Sequence, residues 1–410
     1  MCLLVAMIFI VPSAQMPACG DSDVEIESIG GGFGISVEIR NAGEEVMEDV
    51  DWSMDVGGFV IFGSHCEGTV SSLSPGETAV IKSGFLFGVG AAEITVTVKE
   101  TTGTATCSLL GPFALNCVME RNRHDSIPDD AVKITPEQDT FPPVLHSDEW
   151  QTPVPMPGPV NTAGAEDSAF ITPDGKTFFF FFTPDVDVPP EKQLVDGVTG
   201  IWWSKMDGTW SEPERIVLND DVALDGAEFV QGNTMWFASA RAGNYGEIDF
   251  YTAEYADGKW GNVKNAGEQL NGEYDVGELH ITSDGQTMYC GGGWGSGGDI
   301  YVLHKTSDGW SEPVALPPPV NTQEYGEDQP FITEDGNEMW FTGQSRLGYP
   351  GPAVFRSLKV NGNWSEPEEI ISSFAGEPTL DGEGNIYFTH HFFDGSMNMI
   401  EADIYVAYRK

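Results

Sequence analysis

The sequence predicts an all-β protein: a β-sandwich followed by a five-bladed β-propeller, its ring closed by a strand that precedes the first blade. Three observations carry this reading. Trp310-Ser311-Glu312-Pro313 recurs letter for letter at Trp210-Ser211-Glu212-Pro213 and Trp364-Ser365-Glu366-Pro367, with weaker copies starting at Trp260 and Trp150. These tryptophans are 60, 50, 50 and 54 residues apart, and a fixed period near 50 marks a repeat architecture. Upstream of them, short runs alternate apolar and polar residues at period two, as half-buried strands do. Both regions are punctuated by Asp-Gly, Gly-Asn or Pro-Gly pairs that supply tight turns.

The 410 residues are enough for two or three domains, and 40% hydrophobic residues exclude a wholly disordered chain. The outlier is charge: 64 acidic against 19 basic residues, formally −45. Such a surface repels nucleic acid and anionic membranes and suits cations, cationic ligands or high salt. Solvation alone accounts for most of these carboxylates. The six cysteines form neither a Cys-x-x-Cys pair nor a metal-ligand spacing. Cys66, Cys107 and Cys117 share one short region where an exported chain would form a disulfide, with the partner choice open. Cys290, in a strand-like run, reads as a buried small hydrophobe.

Residues 1–19 read as a signal-like segment. Leu3 to Val11 is apolar and stops at Pro12, too short for a span of about 20 residues but of h-region length. No Lys or Arg precedes Arg40, so the usual basic flank is missing. Met16-Pro17-Ala18-Cys19-Gly20 resembles a lipoprotein cleavage box with Cys19 as a lipid anchor. The expected location is extracellular or on the cell surface.

Residues 20–119 carry the sandwich. Val24–Glu27, Ile35–Ile39, Val50–Met54, Ala79–Ile81 and Glu93–Val98 are its strand runs, with turns at Gly30–Gly32, Asn41–Gly43 and Ser74–Glu77. The Ile39–Gly43 turn, Leu73-Ser74-Pro75-Gly76-Glu77 and Gly111-Pro112-Phe113 are similar to immunoglobulin-like modules of microbial surface proteins, which implies a spacer or adhesion part. Residues 120–145, rich in Pro and Asp and without periodicity, read as a linker, and His124 within it as a solvated side chain.

Residues 146–410 hold the repeats. Each reads as an acidic loop, a strand, a tight turn such as Thr172-Pro173-Asp174-Gly175, a second strand such as Met339-Trp340-Phe341, a Gly-rich loop, a third strand such as Asp249-Phe250-Tyr251, an Asp-Gly turn and the Trp strand. Four antiparallel strands make a propeller blade. The last repeat lacks its Trp strand and the Trp150 strand lacks a repeat, so the two complete one blade and close the ring. The tryptophans then pack between blades. Glu327-Asp328 to Gly336, Arg241–Gly246 to Tyr251, and the Trp-Ser-Glu-Pro strands resemble the TolB-type WD-like propeller repeats. That family spans protein-binding, peptidase-attached and uncharacterised members, so the resemblance implies a fold. Gly200 and Ala353 depart from it, standing where other repeats have Asp before the third strand.

Loops leading into the first strands share a face with loops joining the second and third strands. The leading loops carry Glu166 and Asp167, Asp225 and Glu228, Asp275 and Glu278, Glu327 and Asp328, and Glu377, with Asn161, Asn219, Asn271 or Asn321 in all but the last. First strands line a propeller's channel, so these acids should converge near one axis. Arg241 and Arg346, Tyr245, Trp294 and Tyr349, and His390 with Phe392 and Phe393 join them, and Thr183–Thr199 could fold over as a lid. Carboxylates with exposed aromatics suit a sugar or a cation. No cofactor other than Ca²⁺ is expected, and duplication of loops that are acidic for capping reasons would give the same pattern.

Other motifs fail. His390 and His391 are neighbours on a strand and face opposite ways. Gly293-x-Gly295-x-x-Gly298 precedes a strand rather than a helix, so it is not a dinucleotide loop. The reading is a non-catalytic surface protein that recognises an extracellular glycan, a protein or a divalent cation. The alternative is a glycoside hydrolase: the five-bladed disc is similar to arabinanase-type enzymes, with Asp167, Glu228 and Glu327 the first candidates for acid and base. A structural envelope component is the third.

Overall fold

The computed structural model describes residues 24–410, apart from 44, 100, 121, 129, 195, 219–222, 272–276 and 293–297. The signal-like segment, Cys19, Asn219, Asp275 and Trp294 lie outside the described residues. The chain divides into two compact units, Met1–Met119 and Glu120–Lys410.

In the first unit, Val24–Gly30, Ser36–Asn41 and Thr78–Lys82 form a three-stranded sheet. A second sheet runs in the order Gly32–Phe33, Phe113–Glu120, Thr101–Gly111, Phe87–Val98, Met47–Val56 and His65–Leu73. The alternation expected from the sequence appears as alternating burial: Val37 and Ile39, and Ile94, Val96 and Val98, point into one shared core. Asn41 holds the first turn because its side chain accepts from Gly43 N at 2.9 Å and donates to Leu73 O at 2.8 Å. At Ser74–Glu77 the Glu77 carboxylate accepts from Ser74 N at 2.8 Å. Cys107 and Cys117 form the disulfide and Cys66 is free.

The second unit is β-propeller-like. Antiparallel groups follow one another along the chain. The first strands are Ala165–Ile171, Ala223–Gln231, Leu279–Ile281, Glu327–Ile332 and Ala375–Leu380. Each pairs with the strand after its tight turn, and that strand with a third. Four groups take their fourth strand from the Trp segment that follows them. The last takes it from far upstream, where Val154 pairs with Val406, Pro155 with Tyr405 and Trp150 with Arg409.

The repeated letters now have physical causes. Ser211, Ser311 and Ser365 each accept a backbone N–H from the third strand, at 3.1, 3.0 and 3.0 Å. Trp150, Trp210, Trp260 and Trp310 are buried and Trp364 is partly so. In three of the tight turns Gly175, Gly285 and Gly336 take φ of 67°, 68° and 69°, a region that favours glycine.

The asparagines of the leading loops are clamps. Asn271 brackets Phe250 and Asn321 brackets Ile300, each accepting from the backbone N–H and donating to the C=O of a third strand. Asn161 brackets Ile404 in the same way, although it lies 243 residues away. The same letter does the same job at the closure as inside the chain.

The stretch 120–145 is not a linker. It belongs with the second unit and lies along it as a strap. Arg123 is 1% exposed and donates to Pro159 O and Val160 O; Lys133 pairs with Glu401 and Asp403; Asp139 meets His390 Nε2 at 2.9 Å. His124 is not simply solvated, since its Nε2 meets Glu212 at 3.0 Å. Periodicity could not show this, because the strap joins a sheet only at Val144–Leu145, opposite Ser372 and Ile371, and is otherwise held by ion pairs and hydrogen bonds.

Candidate functional site

The predicted carboxylates do not form one set. Those at the start of the first strands are each neutralised by an arginine. Glu166 and Glu327 are 0% exposed, and Asp225 is buried. Glu166 meets Arg123 at 3.3 Å, Asp225 meets Arg241 at 2.6 Å and Glu327 meets Arg346 at 2.9 Å. Thr162 and Thr322 bind Glu166 and Glu327 alike, each through backbone N–H and hydroxyl. Burial still pushes the Glu166 carboxyl up to about 7, outweighing Arg123, and raises Glu327. These acids and arginines hold loops, and Glu327, one of the first candidates for acid or base, is paired with Arg346.

A second set gathers deeper. Each of four first strands breaks register once, between Asp167 and Phe170, Gly226 and Phe229, Asp328 and Phe331, and Gly376 and Thr379. At each break a non-glycine residue takes the left-handed conformation: Ser168, Ala227, Gln329 and Glu377, at φ 51°, 53°, 54° and 55°. Such outliers persist only when their surroundings hold them, and they concentrate at functional places. Glu278 stands at the matching position of the remaining strand, two residues before His280 as Ser168 is two before Phe170.

The bulges bring the chains of different groups together. Gln329 Nε2 donates to Glu377 at 2.6 Å and Glu278 at 3.4 Å; Ser168 N donates to Glu377 at 2.7 Å and its hydroxyl to Glu278 at 3.3 Å. Asp167 faces His391 at 3.7 Å. Neither oxygen of buried Glu228 has a hydrogen-bond partner among the described residues. Burial, then the Asp328 and Asp167 charges, pushes the Glu278 carboxyl up to about 8. Glu228 and Glu377 are raised well above the carboxylate range by burial, and next by Glu278 and Asp167 respectively. Asp167 goes the other way: burial would raise it, but hydrogen bonds with Glu377, His391 and Ser168 N hold it below the usual range. The cluster thus sets raised carboxyls at Glu228, Glu278 and Glu377 beside the negative charge of Asp167. Among the described residues no three His, Cys, Asp or Glu side chains are arranged to hold a metal ion.

The other predicted members are dispersed. Tyr245 is exposed, the Tyr349 ring meets His146 just after the strap at 5.2 Å and a 52° tilt, and Arg241 lies over the Tyr251 ring at 4.3 Å. His390 and Phe392 are buried, His390 against Asp139. Thr183–Thr199 contains a short helix, Pro190–Gln193. Cys290 is free and only partly exposed, and burial pushes its thiol up to about 12. The sequence reading missed Arg123, Lys133 and Asp139. Their signal was scarcity: in a chain with 19 basic residues, a cation in an aperiodic stretch is a candidate for a buried pair.

These features define an all-β protein with a propeller-like unit. No family model matches the chain, and no curated protein does. Among solved structures it is similar to TolB from Acinetobacter baumannii, at 14% identity over 77% of this chain and 65% of that one, TM-score 0.31. It is also similar to the catalytic domain of a GH62 alpha-L-arabinofuranosidase from Coprinopsis cinerea, at 10% identity over 60% and 91%, TM-score 0.40. An exo-beta-1,3-galactanase from Clostridium thermocellum matches at 11% identity over 64% and 61%, TM-score 0.37. The chain therefore spans just under two thirds of the TolB chain, and likenesses at this level carry no activity across.

Proposed function

We propose that this is a non-catalytic recognition protein, extracellular or held at the cell surface, whose second unit is a closed five-bladed disc that binds a cationic group of a glycan or protein. The supporting observation is the axial cluster of Asp167, Glu228, Glu278, Asp328 and Glu377, drawn from all five first strands. It contains no lysine or arginine among its hydrogen-bond partners in the described residues, so an incoming cation would replace shared protons. An organic or peptide cation suits it better than bare Ca²⁺, since no three-ligand metal cluster is preformed there. The first unit serves as an immunoglobulin-like spacer, a reading its two-sheet strand order supports.

The pH dependence follows. Glu278 is protonated below about pH 8 and must ionise to hold a cation. Affinity should rise with pH by up to about tenfold per unit per displaced proton, then level off above pH 8. Calorimetry with a glucosamine oligosaccharide, a lysine-rich peptide and CaCl₂, each in two buffers of different ionisation enthalpy, measures affinity and proton release together. Glu278→Gln should weaken binding and flatten the pH slope. Absence of heat with all three, or binding without proton release, would defeat the proposal.

One observation favours a second reading. Ser168 joins two carboxyls, donating its N–H to Asp167 at 3.0 Å and its hydroxyl to Glu278 at 3.3 Å, with Asp167 held low by hydrogen bonds and Glu278 raised by burial, the contrast a glycosidase's base and acid need. Turnover of arabinan, xylan or an aryl-glycoside, abolished by both Asp167→Asn and Glu278→Gln, would establish it in place of simple binding.

A further inference from the structure

A cavity of the second unit opens on the other face, among the tight turns. It encloses about 680 Å³ and is lined from all five groups, within the usual 300–1,000 Å³ of small-molecule sites. Its floor is a chain of rings. Phe170 meets Phe229 edge-on at 5.4 Å, and His280 lies 4.5 Å from both Phe229 and Phe331. Phe170, Phe229 and Phe331 each stand two residues beyond a bulge, and His280 holds the matching place in its strand, so the same backbone break that gathers the acids sets this aromatic layer beside them. Burial pushes the His280 imidazole down to about 3, so at neutral pH it is an uncharged ring, and its Nδ1 is buried without a hydrogen-bond partner among the described residues.

The rim is acidic. Asp174, Glu334, Asp335 and Asp381 line it, with Arg409 as its one lining cation. Arg409 is engaged elsewhere, bonded to Glu149 at 3.1 Å and lying over the Trp150 ring at 5.1 Å. Asp174 and Asp335 accept bonds from Thr172 and Thr333 at 2.7 Å, which fixes their carboxylates at the mouth. Aromatic faces under a ring of carboxylates attract a cation that also has apolar surface to bury.

We propose that this cavity binds a small organic ammonium carrying an aryl or alkyl body, the apolar part on Phe170, Phe229 and Phe331 and the charge toward Asp335 and Asp381. The site is separate from the axial acid cluster and does not depend on it.

Calorimetry with benzyltrimethylammonium chloride, against benzyl alcohol as the uncharged control, tests this. The ammonium should bind the cavity whether or not the axial cluster also takes it, and benzyl alcohol at least about fivefold more weakly. Phe229→Leu and Asp335→Asn should each weaken the ammonium by about two- to fivefold, while Glu67→Gln, exposed on the first unit, leaves it unchanged. Thermal melting identifies a Phe229→Leu chain that has lost its fold, and Asp335→Asn, at an exposed turn, then carries the test. No binding at millimolar ammonium, equal affinity for benzyl alcohol, or loss through Glu278→Gln with none through the cavity variants would each overturn the proposal.

Discussion

Replacing Trp150 by alanine should destabilise the second unit by about 3–5 kcal/mol, the cost of truncating a large buried aromatic. Trp150 is 0% exposed, donates from Nε1 to Gly384 O at 2.8 Å and meets Trp340 edge-on at 5.5 Å. The guanidinium groups of Arg356 and Arg409 lie over its ring at 5.2 and 5.1 Å. Its loss therefore opens a cavity and removes both cation–π contacts at the seam where the chain's early segment meets its last strands. Trp364→Ala, at an internal copy that is only partly buried, should cost less. Urea unfolding followed by fluorescence gives both values, and equal costs would show that the seam holds no special place.

The second large effect is expected at Arg123. Arg123→Ala leaves Glu166, 0% exposed, without its cation and removes two backbone bonds that tie the strap down. Breaking a buried pair from one side costs about 3–5 kcal/mol, here because Glu166 must take up a proton and the Pro159 and Val160 carbonyls lose their donor. Arg123→Ala combined with Glu166→Gln should recover part of that loss. Lysine will not substitute, since the guanidinium also lies 5.4–5.9 Å from the Phe180, Phe182 and Trp202 ring centres. Denaturant titration of the three variants gives the coupling, and proteolysis within 122–146 in Arg123→Ala alone would register release of the strap.

Much of the fold was legible because it is written as repetition. The Trp-Ser-Glu-Pro copies set the groups, the turn glycines set the hairpins, and the missing last strand with its orphan near Trp150 pointed to the closing pair Val154 and Val406. The clamping asparagines were visible as letters, but their role was not, because it depends on a bond to a strand of the preceding group. For the acids, location was legible and partnership was not. Glu166, Asp225 and Glu327 look like Asp167, Glu228 and Glu278 in a linear reading, and only the fold shows arginines on the first three. The bulges were hidden for a different reason: a two-residue break in a short strand looks like imperfect alternation. The strap was misread as a linker because buried ion pairs leave no period.

The closure of the disc by residues 150–155 is the claim on which the axial cluster rests, and a cross-link tests it most directly. Paired antiparallel residues have Cα atoms about 4.5–5.5 Å apart, inside the range a disulfide spans. Val154→Cys combined with Val406→Cys, oxidised and mapped by mass spectrometry of proteolytic fragments, should yield one dominant link joining positions 154 and 406. Two cysteines that stay reduced, or a link from position 154 to Cys66 of the first unit, would contradict the closed disc.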